Sequence, residues 1–415
     1  MNLQKFSRDK KGFTLIEVLA YGAILSLVLV LVVNGFIQLS AVFVRARNIR
    51  IVNEAGVLAM ERIGREVRRS KTVDVGAGYV SLAVPPTYTE MVKKDKPIAY
   101  WNFEEDGGSL IDQIGGAHGT IFDSGGQISR KQLGVVGKSY KFNSNYGRAV
   151  LSSSALSLAS QTQGAIEAIV RVDGNDGTVS GVYPIIANTL GPANQKLLAG
   201  LKMNNALQYS PALYRGGTLD NPGPTTGLAQ QKGIFVHLVF DYTASPVGNV
   251  VCINGVCQTA ATDGDNAGWL SGATAAGANY LTIGAETNAA GTPQSLGFKG
   301  WIDELAVYGP NNKPPQSRWT EHYNAAFGGD VDPVSTTITV AQDVPISISR
   351  DANVDILTSY DATIGDVAIT LLTDGASPTP KPIGVRITFS VTAGSGKTEV
   401  THKFTSAFML RNPSP

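Results

Sequence analysis

Charge is scarce in this sequence. Only 16% of its 415 residues are Asp, Glu, Lys or Arg, against about 25% in ordinary soluble domains. Lys and Arg number 34 and Asp and Glu 33, so the formal net charge is +1, and no acidic or basic tail appears. That balance lacks the electrostatic footprint of a nucleic-acid binder, so no nucleic-acid partner is expected. Cysteine is rarer still, at two, which excludes a disulfide-dense scaffold and a four-cysteine zinc site. The histidines, His118, His237, His322 and His402, are scattered. Glycine (46) and proline (20) are abundant instead, a bias toward β-structure with many turns. A hydrophobic content of 43% excludes global disorder, and the length suits two or three domains.

The N-terminal segment departs from this composition. A short basic stretch, MNLQKFSRDKKG, runs into an apolar one, and from Val18 to Val44 there is no charged residue. As a helix that run covers about 40 Å, enough to cross a hydrocarbon core of about 30 Å. A secretory signal peptide has a shorter apolar region and a small-residue cleavage site, which this segment lacks. Lys5, Arg8, Lys10 and Lys11 hold the leading end in the cytoplasm and direct the remainder outward. Glu17 lies inside the apolar run. A carboxylate there is costly unless paired. Cleavage between Gly12 and Phe13 would create an α-amino group able to pair with Glu17 of a neighbouring copy and drive lateral assembly. Alternatively, Glu17 sits at the interface and snorkels to water.

The run KKGFTLIEV, Gly12 to Val18 included, resembles the class III signal of type IV prepilins and type II secretion pseudopilins. The resemblance implies that prepilin peptidase cuts after Gly12 and methylates Phe13, and that Glu17 serves assembly with other pilins or pseudopilins. It also implies a single-pass inner-membrane precursor that becomes an extracellular or periplasmic filament subunit. Many major pilins carry a mid-helix proline where this chain has Asn34 and Gly35, which is closer to minor pilins and pseudopilins. Past the membrane, Ile49, Val52, Gly56, Met60, Ile63 and Val67 recur at helical spacing, so one helix of about 87 Å is expected from Phe13 to about Ser70. The stretch LAMERIGREVRRSKTV resembles the helix-to-head junction of J-class minor pseudopilins and W-class minor pilins. Short β-runs around Gly76 and Gly78 begin the head, and TYTEMVKKDKP reads as a polar linker.

Between about Pro97 and Gly329, alternating or aromatic-rich runs such as KSYKFN, GAIEAIVRV, IFVHLVFDY and KGWIDELAVY are separated by turn residues, the pattern of a sandwich or jelly roll. Their order resembles the laminin-G-like, concanavalin-type jelly roll, with Trp101 and Phe103 in the first strand, Trp301, Asp303, Glu304 and Tyr308 in the last, and a closing helix SRWTEHYNAA. Ile169 and Phe235 stand where that family commonly has Trp. The resemblance implies a structural calcium held by Glu104, Asp112 and Asp303. Without it, these are solvent-facing turn and strand-end carboxylates. Tyr183, Tyr209 and Tyr214 are expected as exposed aromatics in long Gly/Asn/Pro loops and are candidates for stacking on sugars, although surface tyrosine is common.

In CINGVC, Asn254-Gly255 signals a type I′ hairpin that sets Cys252 opposite Cys257, suited to a cross-strand disulfide. The alternative, a metal pair, lacks a second pair of Cys or His at ligand spacing. A glycanase would need two carboxylates flanking a cleft, and the candidates are Glu104, Glu105 and Asp106, or Asp303 and Glu304. Neighbours on a regular strand face opposite ways, so no catalytic residue is assigned and binding is expected rather than catalysis. AGSGKT resembles a phosphate loop, but Val391 occupies the position of its first glycine and strands flank it. It reads as a hairpin turn.

From Asp330 onward six short strands follow, and the ending FTSAFMLRN, with Arg411 and Asn412, resembles the tail of J- and W-class heads. The expected fold is α+β. It comprises a leader (1–12), a membrane-anchoring and assembly helix (13–70), first head strands and linker (71–96), an inserted jelly roll (97–329) and the remaining head sheet (330–415). The expected role is a minor pilin or pseudopilin presenting a lectin-like module for carbohydrate or another surface ligand. The alternatives are a secretion-pseudopilus tip component that grips exported proteins and, third, a glycan hydrolase.

Overall fold

The computed structural model describes residues 14–143, 146–151, 163–173, 182–189, 197–203, 208–215, 218–220, 230–231, 233–242, 250–259, 280–287, 293–350, 353–359, 361–376 and 380–411. The chain is α+β, and forms two units. Residues 1–85 and 333–415 form the first, and residues 86–332 the second.

In the first unit, helix α1 (Leu15–Arg69) runs 55 residues without interruption, about 82 Å. Thr14 caps it: its hydroxyl accepts from the Glu17 N–H while the Glu17 carboxylate accepts from the Thr14 N–H, a reciprocal capping box. Its apolar half is exposed apart from a half-buried Ala41. From Asn48 onward one face is buried: Val52, Ala55, Gly56, Ala59, Ile63, Gly64 and Val67. This differs from the stripe expected from spacing, since Ile49 is exposed and Met60 half-buried. Aromatic side chains of the last strand press against the helix and require small residues beneath them. A Cβ on Gly56 would sit 2.1 Å from Phe404, and one on Gly64 2.5 Å from Phe408.

Five antiparallel strands form one sheet of this unit, in the order Thr72–Gly76, Tyr79–Val84, Val334–Thr339, Ser347–Arg350 and Asn353–Ile356. Tyr79–Val84 pairs with Val334–Thr339 across a long excursion of chain, ending at Val84 opposite Val334. The last three strands, Ala362–Thr373, Pro382–Ala393 and Val400–Met409, make a separate three-stranded sheet. The final strand therefore does not join the sheet of the early strands. Both sheets contribute to one core with α1, in which Ile63, Val80, Ile338, Val385, Ile387 and Phe389 are buried. Between the last two strands, Gly396–Thr398 form a single 3-10 turn.

The second unit begins with a helix where a polar linker was expected. The stretch read as a linker contains helix α2 (Tyr88–Lys94), closed by a Thr87–Glu90 capping box. Its exposed lysines masked Tyr88, Met91 and Val92, which are buried at one-turn spacing. Two antiparallel sheets follow. One is ordered Val256–Thr259, Val250–Ile253, Phe235–Tyr242, Gly164–Val172, Gly300–Tyr308, Lys138–Phe142 and Ile128–Leu133, with Ala99–Trp101 also paired to Gly300–Tyr308. The other is ordered Thr218–Asp220, Gln208–Arg215, Leu197–Met203, Val182–Thr189, Tyr280–Ile283, Arg148–Leu151 and Gly119–Phe122, with Gln230–Gln231 paired to Gln208–Arg215. They face each other over a core that includes Trp101, Phe142, Ile166 and Ile302 from the first sheet and Leu151, Ile186, Leu281 and Ile283 from the second, a jelly-roll sandwich. The opposite face of the first sheet is covered by α2 and by α3 (Gln316–Phe327), through Tyr88, Val92, Ile169, Tyr308 and Trp319. Gly328 ends α3 in the left-handed conformation at φ 79°.

Ile63 is fully buried between α1 and both sheets of the first unit, so Ile63→Ala should cost about 2–5 kcal/mol, read as a lowered denaturation midpoint of the full chain.

Candidate functional site

The helix-covered face of the second unit buries charge. Glu167, from the centre of strand Gly164–Val172, has no solvent exposure. Its Oε1 meets His237 Nε2 at 2.7 Å and His322 Nδ1 at 2.8 Å, and its Oε2 accepts from the Tyr308 hydroxyl at 2.7 Å. The other nitrogen of His322 lies 2.8 Å from Asp95 Oδ2, which also accepts from Arg318 Nε at 3.0 Å. Burial opposes the charge on His322, but the Glu167 and Asp95 carboxylates outweigh it and hold its pKa up at about 9. Burial likewise opposes the charge on Glu167, but His322 and His237 keep it well below the usual carboxylate range. Glu167 and Asp95 are thus matched by His322 and Arg318 where an unpaired charge would be prohibitive. This cluster fastens α2 and α3 to the sheet and offers no opening to a ligand.

Other carboxylates do similar work on backbone. Asp112 is buried, with Oδ1 accepting from the Tyr100 and Ile114 N–H groups and Oδ2 from that of Ala117. Asp303 Oδ2 accepts from Val135 and Val136 at 2.6 and 2.9 Å, and Glu104 Oε1 accepts from Lys138 N at 2.7 Å. Asp303 and Glu104 therefore grip the turn between strands Ile128–Leu133 and Lys138–Phe142. Gly134 and Gly137 permit it: a Cβ on either would run into the Asp303 or Glu104 carboxylate. Burial raises the Asp303 pKa to about 7. The residues expected to hold calcium are not gathered into one group. Asp112 is occupied apart from the other two, and among the described residues no three His, Cys, Asp or Glu side chains are grouped to hold a metal, whereas calcium takes six to eight oxygens. Asp303 and Glu304 are both buried, the strand being irregular between Ile302 and Leu305. Glu304 accepts from the Tyr100 hydroxyl, and burial pushes its pKa well up, assisted by Asp303. Asp106 is exposed but engaged by Lys131 and Lys138.

Cys252 and Cys257 are directly paired across the hairpin and joined by a disulfide, their Cα atoms 3.9 Å apart. Asn254 and Gly255 have φ of 52° and 77°, as a type I′ turn requires. Tyr183 lies on strand Val182–Thr189, and Tyr209 and Tyr214 on strand Gln208–Arg215, rather than in the loops expected; their side chains lie outside the described residues, as do Gly12, Phe13 and Asn412.

An open groove of about 510 Å³ lies at the edge of the second sheet, lined by Ile121, Phe122, Asp123, Gln127, Tyr146 and Arg148. Strand Gly119–Phe122 pairs with Arg148–Leu151 so that Phe122 is opposite Arg148. The guanidinium lies 4.5 Å from the Phe122 ring centre, and its Nη1 donates to the Tyr146 carbonyl at 3.2 Å. Phe122 and Tyr146 are 43% and 53% exposed. Asp123 Oδ1 is held by the Ile128 N–H. Flat apolar rings beside amide, carboxylate and guanidinium groups can cover a sugar's C–H face and bond its hydroxyls. Among the described residues, Asp123 is the one carboxylate that lines the groove. Sequence reasoning missed this site, because Phe122 and Arg148 come from separate strands that only their pairing brings together.

The chain matches no family model and no curated protein. Among solved structures it is similar to the Trypanosoma rangeli sialidase in complex with 2,3-difluorosialic acid (TM-score 0.38, 15% identity, 66% of this chain and 38% of the sialidase). It is also similar to the botulinum neurotoxin serotype D binding domain (TM-score 0.39, 11% identity, 76% and 74%). A third similarity is to the CBM40 of Ruminococcus gnavus IT-sialidase bound to α2,3-sialyllactose (TM-score 0.32, 13% identity, 44% and 94%). The chain spans well under half the length of the sialidase. These likenesses concern fold alone and carry no argument about what the chain binds.

The folded pKa of His322, about 9, exceeds the unfolded value of about 6.5. Its stabilisation is therefore complete below about pH 6.5 and lost as pH rises through 9, an effect of about 3 kcal/mol. Thermal unfolding of the full chain from pH 6.5 to 9.5 should show this decline, and His322→Gln, less stable at neutral pH, should flatten it.

Proposed function

We propose that this chain is a non-enzymatic, minor-pilin-like or pseudopilin-like subunit that is anchored in the inner membrane, assembles into a filament and presents its second unit for carbohydrate recognition. The observation that carries the subunit role is the unbroken passage of α1 from an exposed apolar half into the packed core of the first unit. A helix that is apolar all round needs a bilayer or other helices about it, and a span of this kind meets the length and hydropathy of a membrane segment. The KKGFTLIEV run supports cleavage after Gly12 and methylation of Phe13 by prepilin peptidase. Within one chain, Glu17 takes the Thr14 N–H and hydroxyl. In the assembled filament, the freed ammonium of Phe13 on a neighbouring copy is its cationic partner.

The groove beside Phe122, Tyr146 and Arg148 supports the ligand class, and the burial of Asp303 and Glu304 supports binding over hydrolysis.

Two experiments test this reading. Glu17→Ala should leave the mature N-terminus at Phe13 by mass spectrometry and abolish incorporation into filaments. Normal incorporation would refute the pairing. On a glycan array, Tyr146→Ala and Arg148→Ala should each weaken binding about ten-fold, an effect of about 1.4 kcal/mol, with thermal stability retained. Undiminished binding would remove the groove from the account.

A further inference from the structure

The geometry of α1 brings one loop to the membrane surface, and the tilt of the helix decides how closely that loop approaches the headgroups. The apolar run ends at Val44, and Arg45 follows. Asn48 is the first buried residue of the helix, and its Nδ2 donates to the Thr398 carbonyl at 2.8 Å. Gly394, at φ 85°, approaches the same side chain so closely that a Cβ would lie 2.2 Å from Asn48 Nδ2. The segment from Gly394 to Glu399 is thereby held at the level of Asn48, four residues and about 6 Å along the axis from Val44. The headgroup layer of each leaflet is about as thick. Phe36, Ile37, Leu39, Val42 and Phe43 are all exposed on the helix, so drawing Val44 out into water would forfeit their burial. The run exceeds the hydrocarbon thickness, and tilting accommodates the excess.

At this end of the first unit Arg45, Arg47 and Lys397 are exposed and form no ion pair among the described residues, whereas Arg50 pairs with Glu54 at 3.1 Å. Glu399 is the acidic residue of the loop. We propose that Arg45, Arg47 and Lys397 dock the membrane-proximal end of the first unit on the phosphate groups of an anionic lipid bilayer, with the Gly394–Glu399 loop lying in the headgroup layer. This rests on the reading that the apolar half of α1 spans a membrane. It gives the AGSGKT segment a role: its Gly394 admits Asn48, and its lysine faces lipid phosphate rather than a nucleotide.

The test uses the full chain in nanodiscs of phosphatidylcholine alone or mixed with phosphatidylglycerol, with a nitroxide quencher on the lipid headgroup. The native cysteines are bonded to each other, so a fluorophore can be placed on Ser395→Cys or, as a distal control at the far end of the Ala362–Thr373/Pro382–Ala393 hairpin, on Ala376→Cys. Quenching should be several-fold stronger at Ser395→Cys and should increase with phosphatidylglycerol. Lys397→Gln and Arg47→Gln should each lower the docked-to-undocked ratio about five-fold. Equal quenching at the two positions, or quenching at Ser395→Cys that is the same in both bilayers, overturns the proposal. A chain that fails to co-elute with nanodiscs overturns the membrane span itself, and the docking with it.

Discussion

An α-helix that is continuous from one environment into another couples them rigidly, because each turn is hydrogen-bonded to the next and no hinge absorbs a displacement. In this chain α1 imposes that constraint. Its exposed half requires an apolar surround, and its packed half is the central element of the first unit's core, where Ile63 and Val67 are fully buried. The small residues Gly56 and Gly64 let Phe404 and Phe408 close on it. The strands of the first unit are therefore positioned relative to whatever surrounds Leu15 to Val44, and the loop at Asn48 inherits its depth from that registration.

The second unit solves a different problem: one sheet must bury both of its faces. Its inner face packs against a second sheet through a cluster of buried apolar side chains. Its outer face meets two helices and carries Glu167 at the centre. A lone buried carboxylate would be severely destabilising, so the position demands His322 from α3 and draws Asp95 and Arg318 into the same network. That network ties together residues distant in sequence through directional bonds, and fixes the seating of α2 and α3 more sharply than apolar contact would. The carboxylates resembling a metal set use backbone N–H groups in the same manner. Chemistry suggestive of a site is spent on architecture.

Much of the β-structure was legible from local pattern. IFVHLVFDY and GWIDELAVY alternate and end at turn residues, and CINGVC carries its own turn, so their strands and the cysteine pairing follow from short-range rules. The six strands after Asp330 were legible for the same reason. Helix α2 was not, because seven residues with lysines at the end resemble a solvated loop until burial of Tyr88 and Val92 is known. The Glu167 cluster was hidden by distance, His322 lying 155 residues away. Asp303 illustrates a deeper ambiguity: an acidic residue that caps a turn and one that binds a cation present the same letter, and only the N–H groups of Val135 and Val136 distinguish them. The groove at Phe122 and Arg148 depends on strand pairing and leaves no contiguous trace.

The ladder between Tyr79–Val84 and Val334–Thr339 has a consequence for how such a chain diversifies. Because Val84 stands opposite Val334, the host sheet registers only that the polypeptide departs and returns at adjacent points. What is carried between them is thermodynamically almost invisible to it: closing a flexible excursion twice as long costs only about 0.6 kcal/mol more. A lineage could therefore exchange the module at this doorway for another, or discard it for a tight hairpin, while the host sheet keeps its geometry.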